Sequence, residues 1–354
     1  MLARLSRAAA FASLLCLPLP AGISDAQSPD EGQALDVRRL SPEQRRRLLA
    51  GETIGYQVPE SNETELAAGV AMYLPVPLAR VAEALTSPDV VVREPSITAY
   101  GPIPVGATGA ALGAFVLGAG EIAEAQDVLD AGPGPRFNLA SAEIDTFRAA
   151  RGAGCCRDRG GVLETATARW RTLLLQRAQA FQAHGLDGMA PYARRSGVSD
   201  PAAVLRVAAG DARIVAHLMP RLADALLRFP AEQSSTAISQ VYWVKRQVQG
   251  RPDPILIHHL VDVTPQLALY VERHVYVGHT YNASQILSGA VPYEDGVLVF
   301  SSNRVSTDQV AGLGGELKRV IGRRQLRGEI VKRFDRIRSS LVKPTAPPER
   351  VESP

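Results

Sequence analysis

The chain has 354 residues, a formal net charge of +3, 46% hydrophobic residues and 21% charged ones. This balance belongs to a packed globular protein of one large domain or two ordinary ones and excludes a chain that is disordered throughout. Near-neutral charge leaves no whole-protein footprint for nucleic acid, so no nucleic-acid partner is expected.

The first segment, MLARLSRAAAFASLLCLPLPAGISDAQS, carries Arg4 and Arg7 ahead of an apolar run from Ala8 to Pro20. Ser24 and Ala26 then stand at the spacing of a cleavage site. This predicts a secretory signal peptide cut after Ala26. The run falls short of the roughly 20 residues of a comfortable membrane span, which makes an uncleaved anchor the lesser reading. Cys16 follows Leu14 and Leu15 rather than the small residues that precede a lipidated cysteine. Removing residues 1–26 takes away Arg4, Arg7 and Asp25 and lowers the formal charge from +3 to +2. Lys stands only at 245, 318, 332 and 343, all other basic residues are Arg, and Ala is abundant; this suggests a GC-rich bacterial genome. The expectation is a periplasmic or secreted bacterial protein.

Residues 27–40 read as a flexible lead-in, and SPEQRRRLLAGE as a short helix with Ser41 as N-cap, Pro42 in the first turn, Gln44 in the capping box and Gly51 as the stop. TIGYQV and LAAGVAMYL are candidate strands, and VPLARVAEALTSP carries a helical stripe closed by Pro88. TGAALGAFVLGAG, residues 108–120, lacks both G-x-G-x-x-G and a Lys-Ser/Thr ending, so it reads as a loose apolar helix or loop. A capped helix is expected near Ser141. Cys155 and Cys156 are adjacent, about 3.8 Å apart at Cα and below the usual disulfide range. Two thiols without a nearby His do not make a metal site. A reduced or strained pair, a bond to another chain and a vicinal redox switch stay open; no metal or cofactor is expected.

Residues 163–229 read as helical. Gly185 ends the first helix, Asp200 and Pro201 open the second, and Pro220 interrupts the third. From Ile238 the period becomes two. SQVYWVKRQV, PILIHHLVDV, LALYVERHVYVGHTY and GVLVFSSNRVS are four strands separated by QGRPDP, TPQ and PYEDG, so residues 238–305 should form one antiparallel sheet. A long helix should follow from Thr307 to about Leu341, with Ser306 as N-cap and Gln309 in the capping box. Its apolar stripe starts as Val310, Leu313, Leu317, Val320 and Ile321 and resumes as Leu326, Ile330, Phe334, Ile337 and Leu341, with Gly322, a place for a bend, at the phase slip. Residues 343–354 have the composition of disorder.

An antiparallel sheet whose last strand runs into a long amphipathic C-terminal helix resembles the START-like, helix-grip fold. LVDV, LALYVERHVYVG, EDGVLVFSSNRV and the helix from Thr307 carry the resemblance, with GVAMYLPVPLARVAEAL supplying a first strand and gripping helix. The resemblance implies an α+β class with a cavity between sheet and helix. Residues 41–342 then form a single domain, and the helical block at about 105–235 is an insertion. DVLDAGPGPRFNLASAEI and VPYEDGVLVFSSNRVSTDQVAG are also similar to a group of secreted bacterial proteins without an assigned activity. Neither resemblance brings catalytic residues, because START-like folds host carriers, cyclases and regulators alike.

In LALYVERHVYVG, alternation sends Leu267, Leu269, Val271, Arg273, Val275 and Val277 to one face and Tyr270, Glu272, His274 and Tyr276 to the other. The second set can line an amphipathic pocket, walled by Leu313 and Leu317 of the helix, or can form a solvated face of cross-strand pairs. His258 and His259 are neighbours on a strand and point to opposite faces; Asp262 lies too far along to pair with His258, and no G-x-S-x-G elbow accompanies them. Residues 318–338 hold nine Lys or Arg, and Arg319, Arg323 and Arg327 recur every four residues as a basic ridge. That ridge can meet an anionic membrane surface or simply face water.

Three functions follow. The leading one is non-catalytic binding of an apolar or amphipathic small molecule or lipid. An enzyme using His274 and Glu272 for acid–base work is the second. The third is an interaction module acting through the basic terminal helix.

Overall fold

The computed structural model describes residues 40–87, 94–152, 158–230, 238–310 and 314–342. The signal peptide, Cys155, Cys156, Leu313 and the tail lie outside the described residues. Helix α1 (Pro42–Leu49) begins as expected. The Ser41 side chain accepts from Gln44 N, and the Gln44 side chain accepts from Ser41 N, so a capping box closes the first turn.

Strands β1 (Ile54–Tyr56) and β2 (Glu65–Leu74), helix α2 (Leu78–Thr86) and strand β3 (Ile97–Pro102) follow. Residues 108–120 make two short 3-10 turns and no regular element. Then come α3 (Ile122–Leu129), α4 (Ser141–Gly152), α5 (Arg159–His184), the two-residue strands β4 (Tyr192–Ala193) and β5 (Val198–Ser199), α6 (Pro201–Asp211), α7 (Arg213–Leu218) and α8 (Pro220–Arg228). Asp200 caps α6 by accepting from Ala202 N and Ala203 N. Pro220, which has no N–H to donate, divides α7 from α8.

The remaining strands are β6 (Ile238–Val248), β7 (Arg251–Thr264), β8 (Leu267–Val277), β9 (Ala283–Tyr293) and β10 (Gly296–Ser306), followed by α9 (Gly315–Leu341). Apart from the β4-β5 pair, the eight strands described form one antiparallel sheet in the order β1-β2-β10-β9-β8-β7-β6-β3. β3 pairs with β6, so the helical block leaves and re-enters at one hairpin position on the sheet edge. The molecule is α+β, a large antiparallel sheet with a long C-terminal helix, in the helix-grip manner.

Residues 238–306 contain five strands, not four. β9 escapes the period-two pattern because Ser284, Ser288, Gly289 and Pro292 dilute it. Gly289 is required there, since an added Cβ would lie 2.4 Å from the Phe300 ring and 2.6 Å from Leu269. Two-residue turns at Gln249–Gly250 and Glu294–Asp295 set the hairpins, with positive φ at Gln249, Gly250 and Glu294.

Both sheet faces are covered, and β2 and β8 are buried along their whole length. One face packs on α2 and α9 through Val81, Leu85, Ile330 and Phe334. The other lies under α1 and the helical block, through Leu48, Trp170, Phe181 and Leu226 among others.

The terminal helix departs from expectation. β10 runs through Ser306, Asp308–Val310 form a 3-10 turn, and α9 begins after Gly314 at φ 75°. It then passes unbroken through Gly322, where Leu66 comes so close that a Cβ would sit 2.6 Å from it. An unbroken helix can bury only one of two stripes that are out of phase. Ile330 and Phe334 are buried and Leu326, Ile337 and Leu341 pack beside them, while Leu317, Val320 and Ile321 are exposed.

Candidate functional site

Pairing across the sheet places Gln240, His259, Glu272 and Ile286 in one row on the face toward α9, with Tyr242, Ile257, His274 and Ser284 in the next. Tyr270, Glu272 and His274 thus share this face, as the alternation predicts, and all three are buried. The solvated-face reading is excluded for them. Tyr276 is on the opposite face. A bulge opposite Leu256 and Ile257 sets Tyr276 against Leu256 and His274 against Ile257, so alternation reverses at Val275. Tyr276 packs among Trp170, Tyr192 and the Arg177 guanidinium, 4.5 Å from its ring, and Val277 takes its place toward α9.

Glu272 is the hub. One carboxylate oxygen lies 2.7 Å from His274 Nε2; the other accepts from the Tyr270 hydroxyl and from Arg333 of α9 at 3.0 Å. Burial pushes the Glu272 carboxyl up, but the Arg333 charge and the bonds from His274 and Tyr270 outweigh it and hold the group well below the ordinary carboxylate range. Because the ionised carboxylate only accepts, Nε2–H of His274 donates to it. Nδ1 of the same ring lies 2.6 Å from the Tyr281 hydroxyl, so both ring nitrogens are engaged. Arg246 donates to the same hydroxyl at 3.1 Å. Burial raises the Tyr281 phenol despite that cation.

His259 stands beside this chain and is 1% exposed. Its ring is 4.7 Å from that of Tyr270 and 6.2 Å from that of Tyr242, yet among the described residues neither ring nitrogen has a hydrogen-bond partner. Burial brings its pKa down to about 4, so the ring is neutral, with one donor and one acceptor both unused.

The expected wall and ridge residues are displaced. Leu317 is 68% exposed and walls nothing. Arg319 and Arg323 turn to Glu60 at 2.6 and 3.0 Å, and the Arg327 guanidinium lies against Gly55. The basic ridge therefore lies half-buried against strand and loop, because α9 rotates to bury Ile330 and Phe334 with Leu326 packed beside them.

On the other face His258 is buried, with Ser239 Oγ 3.0 Å from Nε2 and Arg273 Nη2 2.9 Å from Nδ1. An arginine only donates, so Nδ1 accepts and Nε2–H points at the serine. A catalytic triad needs the reverse, a carboxylate accepting from Nδ1 and a free Nε2 lone pair. His258 cannot act as the base of Ser239. Arg273 itself is fully buried and, among the described residues, has no carboxylate partner; it donates to Leu226 O and His258, and burial takes it down to about 9. Among the described residues no group of three or more His, Cys, Asp or Glu converges as a metal site would.

Tyr242, His259, Tyr281 and Arg333 are the site residues that sequence reasoning left without a role. Arg333 had a signal, since it interrupts the inward stripe between Ile330 and Phe334. Tyr281 had none; it sits in the loop after β8 and reaches the site only through the fold.

No family model and no curated protein matches the chain. Among solved structures it is similar to the crystal structure of Ara h 8.0201, at 13% identity over 40% of this chain and 89% of that one, with a TM-score of 0.21. The likeness is distant, and the helix-grip description rests on this chain's own strand order and terminal helix.

Proposed function

We propose that the chain binds an apolar or amphipathic small molecule between the sheet and α9, with the ligand's polar end at His259. The two unsatisfied nitrogens of His259 carry this reading. A buried polar atom without a partner costs about 1–3 kcal/mol, and a leucine in its place would avoid that cost. The flanking chemistry fits an amphipath: the Tyr242 and Tyr270 rings stand beside His259 with their hydroxyls bonded to Gln240 and Glu272, which leaves the His259 nitrogens for the polar end, whereas Ile257, Ile330 and Phe334 are apolar. Export through residues 1–26 belongs to the same reading, and N-terminal sequencing of exported protein should then begin at Gln27.

The test is mass spectrometry of small molecules extracted from the purified protein, with uptake of an apolar fluorescent probe alongside. Wild type should yield a bound molecule and take up the probe, and His259→Phe should weaken both without unfolding the chain. Absence of any bound molecule and of probe uptake in the wild type would sink the proposal.

The Glu272–His274–Tyr281 chain supports a second, acid–base reading. It is the weaker one, because both His274 nitrogens are already engaged and burial raises the Tyr281 phenol. A turnover that His274→Gln abolishes while probe binding persists would favour it.

A further inference from the structure

The first half of α9 is inverted, with charge turned inward and apolar side chains outward. Arg319, Arg323 and Arg327 lie toward Glu60 and Gly55, whereas Leu317, Val320 and Ile321 are 68%, 53% and 49% exposed. Spacing of three and four residues puts these aliphatic side chains on one stripe, with Arg324 a turn further along it. Lys318 flanks the stripe. Both Lys318 and Arg324 are exposed, and among the described residues neither forms an ion pair. The patch therefore offers aliphatic surface with unpaired positive charge at Lys318 and Arg324, while Glu316 on its other flank is paired with Arg319 at 3.1 Å.

We propose that this stripe docks on an anionic lipid surface, Leu317, Val320 and Ile321 entering the headgroup boundary while Lys318 and Arg324 meet lipid phosphates. This surface is separate from the His259 site. The chemistry selects among occupants. A stable protein interface needs roughly 800 Å² from each partner and about 20–30 residues, far more than three aliphatic side chains supply. A second copy meeting the patch about a two-fold axis would bring Lys318 and Arg324 against their own kind. Residues 343–354, KPTAPPERVESP, are too polar to cover it. A bilayer needs no shape complementarity, and its anionic headgroups answer the cationic rim.

The experiment is co-sedimentation with vesicles of phosphatidylcholine alone and of phosphatidylcholine mixed with phosphatidylglycerol. The full chain is assayed beside a chain begun at Gln27, which separates any binding through the apolar run 8–20 from binding through α9. Binding is expected on the mixed vesicles and should fall as salt rises. Leu317→Gln with Ile321→Gln should weaken it at least tenfold, and Lys318→Gln or Arg324→Gln about fivefold each. These side chains are solvent-exposed, so the variants keep the fold. The proposal is overturned if the chain from Gln27 ignores the mixed vesicles or if the double glutamine variant binds them as well as wild type. Sedimentation showing a dimer that the double variant dissolves would overturn it too, since a second copy would then be the occupant.

Discussion

Replacing Arg333 by Met tests the centre of the candidate site. The substitution removes the Arg333 cation from Glu272, whose side chain is 7% exposed, and leaves it the Tyr270 hydroxyl and His274 Nε2. Breaking a buried pair at one partner costs about 3–5 kcal/mol. The Arg333 side chain is 27% exposed, so water partly screens it and the loss should lie near the lower end, ~3 kcal/mol at pH 7. The sign of the pH dependence follows from the depressed Glu272 pKa. Its stabilisation is present above the unfolded carboxyl's 4.5 and is lost as pH falls through the folded value. Without Arg333 the carboxyl protonates readily, so the gap between variant and wild type should be widest at pH 7 and shrink below pH 4.5. Urea unfolding followed by circular dichroism reads both quantities, and adding Glu272→Gln to the Met variant should recover most of the loss. A loss under ~1 kcal/mol at pH 7, or one that is the same at pH 7 and pH 4, would refute the buried-pair account.

His259, neutral in the fold with a pKa of about 4 against 6.5 unfolded, makes stability full above pH 6.5 and lost toward pH 4, by about 3 kcal/mol in all. Urea midpoints across that window should show the fall, and His259→Phe should flatten it. Tyr276→Phe removes a buried hydroxyl that has no partner among the described residues, so stability should stay within ~1 kcal/mol and probe uptake should not change. Reduced uptake would mean that Tyr276 faces the ligand after all. Gly185→Ala should cost at least about 2 kcal/mol, because Gly185 sits at φ 58° and an added Cβ would lie 1.8 Å from Phe229 O; an unchanged thermal midpoint would contradict that.

The legible parts of this fold were those decided by neighbours in sequence. The Ser41 capping box, the Asp200 cap and the Pro220 break each depend on a few adjacent residues, and each forms where its pattern places it; of the separator QGRPDP only Gln249–Gly250 turn, and Arg251–Pro254 join β7. Partners distant in sequence decided the rest. Gly289 reads as a strand breaker until Phe300 and Leu269 fill its missing side chain. Tyr276 changes face because of one extra residue at Val275, which no composition announces. Two apolar stripes on α9 were visible, but which one meets the sheet depends on Leu66 beside Gly322 and on Glu60 reaching Arg319 and Arg323. Within the site, Tyr270, Glu272 and His274 followed from alternation alone, whereas Tyr281 and Arg333 arrive from other elements.

The division of α9 at Gly322 also bears on its dynamics. Its second half is anchored by apolar burial of Ile330 and Phe334 and by Arg333 on Glu272. In the first half, the Glu60 pairs and the Leu66 contact do that work, and Arg323 at 38% exposure is open to water and salt. Elements with few buried apolar contacts open locally at lower free energy than the core. Amides of residues 318–325 should therefore exchange with solvent faster than those of 328–337. Glu60→Gln should raise exchange in the first stretch several-fold while leaving the second unchanged. Added salt should act in the same direction, since it screens the exposed member of the pairs. Uniform protection along α9, or a Glu60→Gln effect spread equally over both halves, would mean that the helix opens as one unit and that the Glu60 pairs are incidental to its first half.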